Sequence, residues 1–166
     1  MNNPANPMVE ITVRDFGTIK LRLDSTQAPI SAANFVRLAE EGFYTGLKFH
    51  RIIKGFMIQG GDGKPEGKSA ATIKGEFSAN GVSNTISHTR GTISMARTNV
   101  MDSASSQFFI CDADSTFLDG QYAAFGHVVD GIDVVDRIAK TPAYDGNGSI
   151  REELQPIIET IRICKS

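Results

Sequence analysis

The chain has 166 residues, 40% of them hydrophobic and 22% charged, with 16 glycines and a formal net charge of -2. That length suits one domain with a core large enough to stand without disulfide staples. A near-neutral balance with scattered basic residues gives no electrostatic case for nucleic acid or an anionic membrane surface, and no apolar run reaches the length of a membrane span. The two cysteines, Cys111 and Cys164, have no metal-ligand spacing and form no disulfide framework. The first residues, MNNPANPMVE, lack the basic start and apolar run of a secretory leader, so cytoplasmic residence is expected. Residues 1–7 are polar with two prolines and read as a flexible arm, leaving residues 8–166 as a single domain.

In chain order, residues 8–13 alternate branched and polar side chains, Asp15-Phe16-Gly17 interrupts them, and residues 18–23 alternate again with Ile19, Leu21 and Leu23 on one face. Two such runs around a glycine-bearing turn predict a β-hairpin. Pro29 opens a helix in which Ala32, Phe35, Val36 and Ala39 recur at helical spacing, and Gly42 closes it. FHRIIKGFMIQGGDG, residues 49–63, then reads as two strand segments. Alternation puts His50 and Ile52 on one face with Arg51 opposite, and Met57 and Gln59 on one face with Phe56 and Ile58 on the other. Residues 60–87 are rich in glycine, serine and asparagine and read as long surface loops. GTISMAR (91–97), SQFFIC (106–111), residues 122–129 and residues 156–164 are further strands, and DVVDRI (133–138) is a second short helix. Many short strands, two helices and no regular βα repeat favour an antiparallel barrel or sandwich.

In SQFFIC, Phe108 and Ile110 share one face and Gln107 and Phe109 the other. Two strands thus each offer a glutamine beside an apolar residue, and with Arg51 they make an amphipathic patch outside the core. The same alternation also fits two half-buried faces whose polar groups are merely solvated. Residues 62–69, DGKPEGKS, come close to a phosphate-binding loop, but Asp62 stands where the first glycine belongs and no helix follows. His50, His88 and His127 show no metal spacing, Ser94 and Ser106 lack a nucleophile elbow, and Asn147-Gly148-Ser149 matches a glycosylation acceptor with no secretion signal to give it meaning.

The run FHRIIKGFMIQGGDG followed by GTISMAR, SQFFIC and FLDGQYAAFGHVVDG resembles the cyclophilin peptidyl-prolyl isomerases, from Met8 to about Ile163, and KGEF at 74–77 resembles the bacterial cytoplasmic type. The resemblance implies a mainly β fold, a closed eight-stranded antiparallel barrel capped by two α-helices. It implies Arg51 as the catalytic residue. Phe56, Met57, Gln59, Gln107, Phe109 and Leu118 would bind substrate, and Ala96 and Arg97 would line the peptide groove largely through backbone. Phe117 and Tyr122 would flank the proline pocket, standing where the family often has tryptophan and histidine. Without the indole N–H, cyclosporin would bind with weakened affinity.

The chemistry this implies needs no metal or cofactor. An amide rotates over a barrier of about 18–20 kcal/mol, while the cis form before proline lies only about 0.5–1 kcal/mol above trans. Halfway round, resonance is lost and the nitrogen gains a lone pair. A donor aimed at that nitrogen, here Arg51, binds the twisted state better than the planar one. The expected function is therefore peptidyl-prolyl cis-trans isomerisation in peptides and folding proteins by a monomer. The alternative is a non-catalytic proline-peptide binding module or chaperone.

Overall fold

The computed structural model describes residues 6–164. Eight strands run in chain order as β1 (Met8–Val13), β2 (Gly17–Leu23), β3 (Phe49–Ile53), β4 (Met57–Gly60), β5 (Thr92–Met95), β6 (Phe108–Cys111), β7 (Ala124–Asp130) and β8 (Ile158–Cys164). Helices α1 (Pro29–Glu40) and α2 (Ile132–Ala139) join them. All strand pairs are antiparallel, in the order β3-β4-β6-β5-β7-β2-β1-β8.

The alternation of the first hairpin becomes the inner wall. Val9, Ile11, Ile19, Leu21 and Leu23 are fully buried, while Glu10, Lys20 and Arg22 point outward. Phe35 of α1 plugs the inside, its ring 5.4 Å from Phe108, 5.3 Å from Phe125 and 5.2 Å from Tyr44, so helix and sheet share one aromatic centre. The start of α1 has no side-chain cap of its own. Buried Glu76, from the long loop, accepts hydrogen bonds from Ile30 N at 3.0 Å, Ser31 N at 2.6 Å and Ser31 Oγ at 2.7 Å, setting a carboxylate on the positive end of the helix.

The expected closed barrel is not what forms. The sheet is an open, curled half-barrel whose edge strands β3 and β8 do not pair along their lengths; the chain just before each is joined by an isolated bridge between Lys48 and Ile157. The reason is local. Segment 148–150 already occupies the free edge of β3, with Ile52 N donating to Gly148 O at 2.8 Å and Ile150 N to His50 O at 3.2 Å. Beyond Phe49, whose N–H donates to Pro156 O at 2.9 Å, the edge of β3 is already met by this loop, and no further ladder to β8 forms.

Two alternation assignments also change. The β3–β4 register slips between Phe49 and Arg51, so His50 is a bulge residue and the core positions are Phe49 and Ile52. Phe56 falls in the turn before β4 rather than on the face of Ile58. The expected arm at residues 1–7 lies outside the described residues up to residue 5. Asn6 and Pro7 are tied down, accepting from Arg22 Nη1 at 3.0 Å, Ser25 N at 3.1 Å and Leu23 N at 2.9 Å.

Candidate active site

The opposite face of β4 and β6 carries a second, smaller apolar cluster of Met57, Phe109, Cys111 and Leu118, with Ile53, Phe56, Ala96 and Tyr122 packed against it. Register explains the grouping. Met57 lies opposite Cys111, and Gln59 lies opposite both Arg51 and Phe109, so all five side chains share the outer face. All but the buried Cys111 border a cavity of about 120 Å³ lined by Arg51, Phe56, Met57, Gln59, Ala96, Arg97, Phe109, Leu118 and Tyr122. Of the other expected residues, Gln107 stands behind Gln59, accepting from its Nε2 at 3.0 Å, and Phe117 sets its ring 5.6 Å from that of Phe56 while remaining 72% exposed.

Larger hollows exist among the described residues. One of about 300 Å³ lies between β3 and the end of α2, and one of about 280 Å³ is bordered by Leu47, Lys48, His50, Asp62, Glu66 and Glu152. The walls of the latter carry mixed charges, whereas the smaller site cavity has an apolar floor and two arginines, of which Arg97 is stacked between rings and bonded to backbone carbonyls while Arg51 keeps donors to spare. The near phosphate-loop at 62–69 holds only a short 3₁₀ turn at Lys64–Glu66, and Lys68 Nζ spends itself on Phe43 O at 2.9 Å.

Arg51 is held from two sides. Its Nε donates to Asn147 O at 2.8 Å, Nη2 to Asn147 Oδ1 at 3.4 Å and Nη1 to Gln59 Oε1 at 3.3 Å. A guanidinium carries five N–H donors, so one on each terminal nitrogen is left over. Asn147 comes from a turn 96 residues away, and nothing near it in sequence announces the contact. Asp145 shapes that turn, its Oδ1 accepting from Asn147 N at 3.0 Å and Ser149 N at 2.9 Å. The Ser149 amide and its neighbours hold the Asp145 carboxyl below the usual carboxylate range.

Arg97 differs from expectation in how it contributes. Its guanidinium is stacked between Phe77 at 4.7 Å and Tyr122 at 4.8 Å, with Nε and Nη2 donating to Gln121 O at 3.0 and 2.6 Å and Nη1 to Thr98 O at 2.9 Å. The side chain thus braces the Tyr122 wall, which meets the Phe109 ring edge-on at 5.7 Å.

Beneath the floor lies a buried polar network that alternation alone does not reveal. The His88 ring stacks on Phe109 at 6.0 Å, its Nδ1 is 2.9 Å from Asp119 Oδ1 and its Nε2 is 2.9 Å from Ser94 Oγ. Burial holds the His88 pKa below its ordinary value despite Asp119. Ser94 is fully buried, so this trio fixes the floor and offers no nucleophile to a substrate. Cys111 is equally inert, burial pushing its thiol up to about 12.

Fold and site together define a receptor for one small apolar group beside a fixed cation, on the outside of an eight-stranded sheet. Residues 8–163 match the family model described as cyclophilin type peptidyl-prolyl cis-trans isomerase/CLD. A peptidyl-prolyl cis-trans isomerase A of Dickeya dadantii is 51% identical over 158 residues, covering 90% of this chain and 80% of that one. A peptidyl-prolyl cis-trans isomerase of Acinetobacter baylyi is 48% identical over 146 residues, covering 83% of this chain and 74% of that one. A Cryptosporidium parvum cyclophilin-type isomerase solved in the presence of the dipeptide Ala-Pro superposes with a TM-score of 0.82 at 30% identity, over 96% of this chain and 99% of that one. The chain belongs to the cyclophilin family and is a peptidyl-prolyl cis-trans isomerase.

Proposed function

We propose that this chain accelerates rotation about X-Pro bonds in peptides and folding proteins, with the proline ring seated on Phe56, Met57, Phe109 and Leu118 and Arg51 stabilising the twisted amide. The observation that carries this reading is the donor count at Arg51. Three donors are anchored to Asn147 and Gln59, and the spare ones belong to a guanidinium on the rim of an apolar hollow. A pre-oriented cation loses little freedom when the imide nitrogen develops its lone pair, so its stabilisation appears in the transition state. Gln59 orients Arg51, and Gln107 holds substrate backbone. Phe117 and Tyr122 border the ring, and Ala96 lines the groove beside them.

The partners that follow are proline-containing peptides and unfolded chains. Phe117 offers no indole N–H, so cyclosporin would bind with weakened affinity. The free cysteines Cys111 and Cys164 are consistent with a reducing, cytoplasmic compartment, which fractionation would test. A single domain at residues 8–166 working as a monomer completes the reading, with sedimentation as its check. The main test is cis–trans exchange of an Ala-Pro peptide followed by NMR. Arg51→Ala is expected to lose most of the acceleration with peptide affinity within about threefold of wild type, the signature of binding energy realised only in the twisted state. Binding without accelerated exchange in the wild type would instead establish a proline-binding module or chaperone. Acceleration that survives Arg51→Ala would overturn the arginine mechanism.

A further inference from the structure

We propose that Asn147 is a self-modification site, where attack by the Gly148 amide nitrogen converts the side-chain amide to a carboxylate and thereby weakens Arg51.

Asn147-Gly148 is one of two described Asn-Gly pairs, with Asn80-Gly81 the other, and the structure treats them differently. At Asn80 the amide nitrogen is held by two hydrogen bonds of 2.8 Å, to Gly75 O and Asp102 Oδ1, and the neighbouring Gly81 N–H is spent on Ser78 O at 2.9 Å. At Asn147 the side chain is exposed, and among the described residues no hydrogen bond engages its Nδ2. The Gly148 N–H makes a long contact of 3.5 Å to Asp145 O and also helps to hold the Asp145 carboxyl low. Arg51 Nη2 meanwhile donates to the Asn147 Oδ1, drawing charge from the carbonyl and offering a place for the negative oxygen of an addition step.

The fold also cannot remove the hazard by changing the second residue. Gly148 sits at φ 83°, and a Cβ there would lie 2.6 Å from Ile53 Cγ1 and 2.9 Å from Ile52 O. The turn that brings Asn147 to Arg51 therefore demands glycine, the neighbour that least obstructs ring closure.

In the step, the Gly148 nitrogen forms a bond to Asn147 Cγ and gives up its proton. The Cγ–Nδ2 bond then breaks and ammonia departs with that proton, leaving a five-membered imide. Water opens the imide at either carbonyl, giving aspartate or isoaspartate, so the net change is amide plus water to carboxylate plus ammonium. Either product alters Arg51. A carboxylate at 147 sets an opposite charge on the guanidinium, and the isoaspartate also displaces the carbonyl that accepts from Nε.

The inference rests on the proposed role of Arg51, so its test has a chemical and a kinetic arm. The full chain is incubated warm at neutral pH. Peptide mapping by mass spectrometry follows Asn147 and Asn80, and exchange of an Ala-Pro peptide is measured on the same samples. Asn147 is expected to convert well before Asn80, with exchange falling as the intact fraction falls. Asn147→Asp should lower exchange roughly fivefold, the factor carried by about 1 kcal/mol, which is the Coulomb energy of unit charges about 4 Å apart in water. Asn147→Gln, whose longer side chain closes such a ring poorly, should hold its own starting rate through the incubation. Asn147 persisting while Asn80 converts, or full conversion with exchange unmoved, would overturn the proposal. Unchanged exchange in Arg51→Ala would sink the arginine reading separately, leaving the mass readout to judge the modification.

Discussion

Replacing Gln59 by leucine tests whether Arg51 must be held in place to act. The change keeps the side-chain size but removes two hydrogen bonds, at 3.3 Å to Arg51 and 3.0 Å to Gln107, and leaves the anchors of Arg51 to Asn147 intact. A hydrogen bond to a charged group contributes about 1.5–3 kcal/mol, and a length of 3.3 Å with partial exposure argues for the lower end. A loss of about 1.5 kcal/mol confined to the transition state slows exchange roughly tenfold. Global stability should change by less than about 1 kcal/mol, because water reaches the half-exposed partners and the new leucine meets an apolar floor. The assay is NMR exchange of an Ala-Pro peptide, with affinity titrated separately, in wild type, Gln59→Leu, Arg51→Ala and the double variant. Orientation through Arg51 requires that Gln59→Leu have no further effect once Arg51 is gone. An equal tenfold loss in both backgrounds would mean that Gln59 acts on the substrate directly, and no loss in either would refute the reasoning.

Three further outcomes follow from the same contacts. Both His88 and His50 have pKa values lowered chiefly by burial, so their contribution to stability is complete above the ordinary histidine range near 6.5 and is lost as pH falls below it. The thermal midpoint should therefore be flat above that range and decline below it, and His88→Gln should lessen the decline. Asp119, which burial pulls upward but the Ser87 hydroxyl and the His88 amide and ring hold low, adds a second loss only below the usual carboxylate range. Gly148→Ala must strain a left-handed backbone and move a Cβ that would otherwise sit 2.6 Å from Ile53 Cγ1. Denaturant unfolding should show a loss of about 1–3 kcal/mol, and exchange should slow as the Asn147 carbonyl shifts from Arg51. Phe117→Trp adds an indole donor at a side chain that is 72% exposed, so the proposed weakening of cyclosporin binding predicts tighter binding by calorimetry with little change in unfolding midpoint.

Much of the site was legible because a strand's period of two is a property of the backbone. Once β4 and β6 are strands, Met57 and Gln59 must share a face, as must Gln107 and Phe109, and a run such as FHRIIKGFMIQGGDG leaves little freedom in which residues those are. The same rule misplaced His50 and Phe56, because it holds only while pairing is regular. A one-residue bulge at His50 resets the alternation, and the turn at residues 54–56 takes Phe56 out of it. Arg97 was legible as a groove residue but not as a clamp, since Phe77 and Tyr122 reach it from separate loops.

What the order of residues settled by itself was local and repetitive: the hairpin faces, the start of α1 at Pro29, the outward arginine and the apolar strip beside it. Those depend on bonds and spacings within a few residues. What only the tertiary structure decided was which distant groups complete them. Examples are Glu76 on the start of α1, Asn147 on Arg51, the His88 network under Phe109, and the loop at 148–150 that keeps the sheet open. Each rests on two or three polar contacts, most of them between segments tens of residues apart. Hydrogen-bonding capacity is carried by nearly every residue, so such partners leave no periodic trace and are chosen only when the packed core brings them together.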